Sequence, residues 1–114
     1  MSKIIYIKTE EEFDKLKESD NLLLVKFGAS WCGPCKQIKS SLEKLSESYD
    51  NLIVIDIDVD EAQESDWSWA ADVENLPTFR FIRNGVQLEE YSGSKIEKIQ
   101  DIINKVIFLS LIHI

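Results

Sequence analysis

Cys32 and Cys35 are the only cysteines in a chain of 114 residues. They stand in Trp31-Cys32-Gly33-Pro34-Cys35, directly after the apolar run Leu22-Leu23-Leu24-Val25-Lys26-Phe27. They open a segment in which Ile38, Leu42, Leu45 and Tyr49 recur at helical spacing. Two thiols at this spacing, where a strand meets a helix, are suited to thiol–disulfide exchange. Cys32 falls at or just before the first helical turn, where unpaired backbone N–H groups and the helix dipole favour a negative charge. The thiolate is the attacking species in disulfide exchange, so Cys32 reads as the nucleophile. Cys35 lies one turn on, within reach of a mixed disulfide at Cys32, and reads as the resolving thiol. Pro34 lacks an N–H and suits a first-turn position, where that donor has no helical partner. The competing readings are a structural disulfide or half of a zinc site. A zinc site needs two further Cys or His ligands, and the only histidine is His113. Trp31, beside the thiols, reads as apolar contact surface for a protein substrate.

The elements that must hold these residues follow from periodicity and capping. Residues 3–7 read as a short strand. Thr9 with Glu12 forms a capping box and predicts a helix over about 10–18. After a turn at Asp20-Asn21, residues 22–27 form a nearly continuous apolar run, the pattern of a strand covered on both faces. The helix entered at Cys32 is expected to reach about Tyr49, and 52–58 form a second central strand interrupted by Asp56. Asp60 is expected to cap a third helix over 61 to about 72. Asn84-Gly85 is a two-residue hairpin signal between strands at 79–83 and 86–91. Ser94 with Glu97 forms a second capping box before Ile96, Ile99, Ile102, Ile103 and Val106. The order is βαβαβαββα, an α/β class with a mixed central β-sheet and helices on both faces.

The segment from Leu24 to Lys36 resembles the active-site segment of the thioredoxin family. Leu76-Pro77-Thr78-Phe79 resembles that family's cis-proline loop, Asn84-Gly85 its hairpin turn and Gly93 its last loop glycine. The likeness runs from about residue 3 to 107 and implies the thioredoxin fold. It implies a cis Leu76–Pro77 bond packed beside the dithiol. It also implies that Leu76 offers backbone groups to an extended peptide in the manner of strand addition, with Gly93 completing the groove. Trp31, Gly33 and Pro34 would share in substrate binding, and Gly33-Pro34 between the cysteines resembles the reductases of the family. The expected activity is protein-disulfide reduction, with no bound cofactor or metal, and with the dithiol restored by an NADPH-dependent thioredoxin reductase. The rival reading is a binding or adaptor module of the same fold with secondary redox turnover.

Lys26 departs from the family, which usually carries a buried Asp at this position that is thought to help move the proton of the resolving cysteine. An unpaired buried ammonium is costly, so Lys26 needs a partner. Asp56 on the neighbouring strand is the candidate, Asp58 a weaker one, and Lys39 is expected near the site. The Lys26–Asp56 pair reads equally as catalytic or as an internal salt bridge. Gly28 stands where a Trp or another small residue is usual, and Ser40 where a kinking Pro is common. Trp67 and Trp69 read as packing, one in the core and one at the surface.

Bulk properties agree with a single domain over 1–107, followed by an apolar tail at 108–114 that extends the last helix. At this length a core needs no staples. The net charge of −8 argues against nucleic acid as a partner. No apolar run reaches membrane-spanning length, and Met1 to Tyr6 carries no signal-peptide pattern. A lone reactive pair fits a reducing, cytoplasmic location. The tail raises the expectation of a weak homodimer.

Overall fold

The structure, a computed structural model, describes residues 4–111, with side chains described for 4–108. Nine elements follow the expected order: β1 (Ile4–Ile7), α1 (Glu10–Leu16), β2 (Leu22–Gly28), α2 (Gly33–Ser48), β3 (Leu52–Asp58), α3 (Val59–Glu64), β4 (Thr78–Arg83), β5 (Val86–Ser92) and α4 (Ile96–Leu111). The strands form one mixed sheet in the order β1-β3-β2-β4-β5. β2 runs parallel to β3 and antiparallel to β4, so it lies at the centre. Every residue of β2 is buried, which explains an apolar run broken only by Lys26.

The sheet's alternation divides the core. On one face Leu23, Val25 and Phe27 of β2 pack with Ile55, Ile57, Phe13 of α1 and Ala62 of α3. On the other, Leu22 and Leu24 pack with Val54, Phe79 and Phe81, under Ile38 and Leu42 of α2 and Ile99 and Ile103 of α4. Phe13, Phe27, Phe79 and Phe81 are fully buried, and each such side chain contributes on the order of 2 kcal/mol. No helix among the described residues is long and apolar enough to cross a membrane.

Helix α1 starts at the Thr9–Glu12 capping box, with Glu12 N–H donating to Thr9 Oγ1 and Thr9 N–H to Glu12 Oε1. It stops at Leu16 rather than near Glu18. The Lys17 and Ser19 carbonyls instead accept from Gly85 and Asn84 at the tip of the β4–β5 hairpin. Asn84 and Gly85 both take positive φ, 51° and 76°, as a tight turn of this kind requires. The last helix begins at Ile96, two residues beyond Ser94, with the Lys98 and Ile99 amides donating to the Lys95 carbonyl. It continues through Leu111, so the backbone of 108–111 is helical; residues 112–114 of the expected tail lie outside the described residues.

The third helix departs most from expectation. Its N-cap is Asp58, not Asp60: Asp58 Oδ1 accepts from the Asp60 and Glu61 amides. Asp58 ends β3, so strand and helix join with no intervening loop. The helix closes at Glu64, not near Asp72, and Asp66 takes a positive φ of 57°. Past that point Trp67 is buried, and the side chain of Gln63 donates to the Ala70 and Val73 carbonyls, replacing helical bonds with a compact loop. Trp69 lies edge-on against Phe13, with ring centroids 5.0 Å apart.

Candidate active site

β2 ends at Gly28, and within four residues the chain enters α2. Cys32 is the N-cap residue, in extended conformation, and its Sγ accepts from the Cys35 N–H at 3.2 Å. The sulfur thus occupies the position a capping oxygen usually fills, where the helix's unpaired donors stabilise negative charge. Pro34 stands in the first turn as expected. Cys32 and Cys35 are joined as a disulfide with Cα atoms 5.3 Å apart. Both are buried, at 4% and 2% exposure. Cys32 is therefore nearly covered rather than standing free beside Trp31.

The two cysteines line different cavities. Cys32 lines a groove of about 400 Å³ with Trp31, Gly33 and Pro34 on one wall and Val73, Glu74, Asn75 and Leu76 on another; Val59, Asp60 and Gln63 of α3 complete it. Trp31 is 67% exposed, and its indole N–H donates to Asp60 Oδ2 at 2.7 Å. Asp60, expected as a helix cap, instead fixes the one large aromatic surface at the groove. The Leu76–Pro77 bond is cis. Pro77 and Gly93 are not among the groove-lining residues. They are joined to each other, the Gly93 N–H donating to the Pro77 carbonyl at 3.0 Å. Gly93 has φ 144°, and a Cβ there would come within 2.6 Å of Tyr91 Oη, so glycine is required.

Cys35 lines a second cavity, of about 410 Å³, with Lys26, Gly28, Lys39, Asp56 and Asp58. Lys26 and Asp56 are Cα partners in the β2–β3 ladder. Their charged ends meet at 3.2 Å, the lysine side chain 7% and the aspartate side chain 18% exposed. Asp58 is occupied as the α3 cap, and Lys39 sits over the Tyr6 ring at 5.7 Å. Hydrogen bonding and charge coupling to Tyr6 hold the Lys39 ammonium above its ordinary pKa. Gly28 is the residue whose part in this cavity sequence reasoning missed. A methyl on it would stand 3.2 Å from Cys35 Sγ and 3.3 Å from Lys26 Cε, so its bare Cα lets the thiol and the lysine stem share one space. The small residue just before the cysteine motif was the available signal. Among the described residues, no three His, Cys, Asp or Glu side chains are grouped to hold a metal ion.

A dithiol capping a helix, open to a groove on one side and to an ion pair on the other, is the equipment of a thiol–disulfide oxidoreductase. Comparison with known proteins narrows the class. The thioredoxin family model matches residues 4–105. The chain is 42% identical to human thioredoxin over 88 residues, 77% of this chain and 82% of that protein. It is 39% identical to the thioredoxin of Ophiophagus hannah over 105 residues, 92% and 98% of the two chains. Among solved structures it is similar to a poplar thioredoxin h, with a TM-score of 0.83, 33% identity and 92% and 96% coverage. It is also similar to Schistosoma mansoni thioredoxin, with a TM-score of 0.80, 35% identity and 90% and 94% coverage. The chain belongs to the thioredoxin family. It is a protein-disulfide oxidoreductase that works by thiol–disulfide exchange, in a class whose substrates are protein disulfides and whose dithiol is renewed by a reductase.

Proposed function

We propose that Cys32 attacks and Cys35 resolves. The observation that carries this reading is that Cys32 lines the groove beside Trp31 and Leu76, while Cys35 lines the cavity of Lys26 and Asp56. In the reduced protein the Cys32 thiolate attacks one sulfur of a substrate disulfide. The substrate S–S bond breaks, a mixed disulfide forms at Cys32, and the departing substrate thiolate takes a proton. Cys35 then loses its proton and attacks Cys32 Sγ. The second substrate thiol leaves, and two electrons have passed from the protein to the substrate. Trp31, Gly33, Pro34 and Leu76 hold the substrate segment, with the Leu76 backbone pairing it as an added strand. Pro77 and Gly93 support that edge through their mutual hydrogen bond.

Lys26 and Asp56 act on the resolving step. An ammonium beside Cys35 favours its thiolate, and a dithiol whose reduced form is so stabilised is the more oxidising. Asp56 offsets part of that charge and offers a carboxylate for the proton. The reductase partner is an NADPH-dependent thioredoxin reductase, and the location is the cytoplasm, where such a partner keeps the pair reduced. Phe108, in the last turns of α4, is 60% exposed, which supports a weak homodimer through 108–114.

Cys32→Ser should abolish insulin reduction, and Cys35→Ser should accumulate mixed disulfides with substrate proteins; trapping by Cys32→Ser instead would reverse the assignment. Lys26→Asp sets two carboxylates at paired strand positions and should destabilise the fold by on the order of 2–3 kcal/mol. Adding Asp56→Lys should recover most of that loss and make the protein more reducing, by about 20 mV for a coupling of ~1 kcal/mol. A double variant no more stable than the single, or with the parent's potential, would refute the coupling. Sedimentation should show removal of 108–114 leaving only monomer; full-length protein that is monomeric at high concentration excludes the dimer.

A further inference from the structure

Arg80 is a guanidinium where the fold asks for an apolar side chain. It sits on β4 between Phe79 and Phe81, opposite Val25 in the ladder, and is 6% exposed with its guanidinium 5.1 Å from the centre of the Phe27 ring. Taking such a charge out of water is costly, and the cost is offset only when partners meet the guanidinium in good geometry. Here Nε donates to Glu90 Oε1 at 2.8 Å, Nη2 donates to Asp72 Oδ1 at 2.9 Å, and Nη1 donates to the Trp69 carbonyl. Burial works against the charge, and the Glu90 and Asp72 carboxylates outweigh it. The hydrogen bond from Arg80 in turn holds the Asp72 carboxyl below its ordinary pKa. A leucine would close the core over Phe27 with none of these requirements.

What the arginine gains over a leucine is a grip on the loop between α3 and β4. Two of its partners, Trp69 and Asp72, lie in that loop, and the third, Glu90, anchors it to β5. The loop is held at two further places. Glu10 Oε2 accepts from the Ser68 amide and hydroxyl, and Gln63 donates to the Ala70 and Val73 carbonyls. The next residues, Val73, Glu74, Asn75 and Leu76, are the groove wall that faces the cysteine motif. This wall has no regular secondary structure, so its place depends on side chains: Gln63 on the Val73 carbonyl and Thr78 Oγ1 on the Asn75 carbonyl hold it directly, and those that tie the preceding turns set where it starts.

We propose that Arg80 is a positioning residue for protein substrates: by tying Trp69 and Asp72 to Glu90 it fixes the groove wall at 73–76 and so sets how tightly a polypeptide disulfide is held. The proposal rests on the reading of that groove as the substrate site. Arg80 does not line the cavity of Cys35 and takes no part in the exchange itself.

The test compares a polypeptide disulfide with a small one that needs no wall. Arg80→Met should raise KM for insulin roughly tenfold while kcat stays within about twofold. Its second-order rate with dithiobis(nitrobenzoate), and its redox potential, should match the parent's. Arg80→Lys, which keeps the charge but loses the planar fork, should restore only part of the insulin KM. If Arg80→Met fails to fold, Asp72→Asn, at a side chain 78% exposed, removes the charge of one anchor and should raise the insulin KM by roughly two- to fourfold. A folded Arg80→Met protein with the parent's insulin KM would overturn the proposal. So would an equal loss of rate on both disulfides, which would mean a general structural role. If the parent itself reduces insulin without need of Cys32, it is the groove reading that fails; if the parent behaves as expected and only the Arg80 variants do not, the failure belongs to Arg80 alone.

Discussion

Strand β2 is buried from Leu22 to Gly28 between β3 and β4, and the chemistry hangs from its carboxyl end. A parallel neighbour, β3, ends at the same level, since Gly28 and Asp58 are ladder partners. Two helix N-termini therefore open side by side, α2 capped by Cys32 and α3 by Asp58. This is the general position of sites in open α/β sheets, beyond the carboxyl ends of the strands. The Trp31–Asp60 hydrogen bond spans the two helix starts and holds the indole over the groove. If β2 slipped by one residue, Lys26 would leave the face it shares with Asp56, and Gly28 would no longer stand against Cys35.

That geometry gives two chemically similar sulfurs different surroundings. One caps a helix and borders a groove with an exposed tryptophan. The other borders a cavity with an ion pair between a buried lysine and a half-buried aspartate. A dithiol needs such inequality: one sulfur must meet foreign disulfides, and the other must wait until a mixed disulfide exists. The Lys26–Asp56 pair places a cation on β2 and its carboxylate on β3, both lining the cavity of Cys35. Gly28 admits this arrangement because it adds no Cβ between lysine and thiol.

Much of this was legible in the sequence, for physical reasons. The β2 run, the Thr9–Glu12 box, Asn84-Gly85 and the helical spacing after Cys32 each encode a local structure that tertiary packing did not overrule. The partnership of Lys26 with Asp56 was also legible, because a cation in an apolar strand demands an anion at similar depth. The third helix was not. Asp58 and Asp60 are both plausible caps, and only the ladder's end at Asp58 decides between them. The stretch past Glu64 keeps polar residues that suit a helix, but Trp67 is drawn into the core and Gln63 takes over the carbonyl bonds. Arg80 was unreadable for a related reason. In sequence it is one charged residue in a hairpin strand, and its role depends on Asp72 and Trp69 being folded back over it.

The central claim is the inequality of the two sulfurs, and it is tested most directly in the reduced protein. Limiting iodoacetamide at neutral pH, followed by peptide mass mapping, counts alkylation at each cysteine. The account predicts that Cys32 is modified first and Cys35 only after long exposure. Equal labelling, or earlier labelling of Cys35, would contradict it.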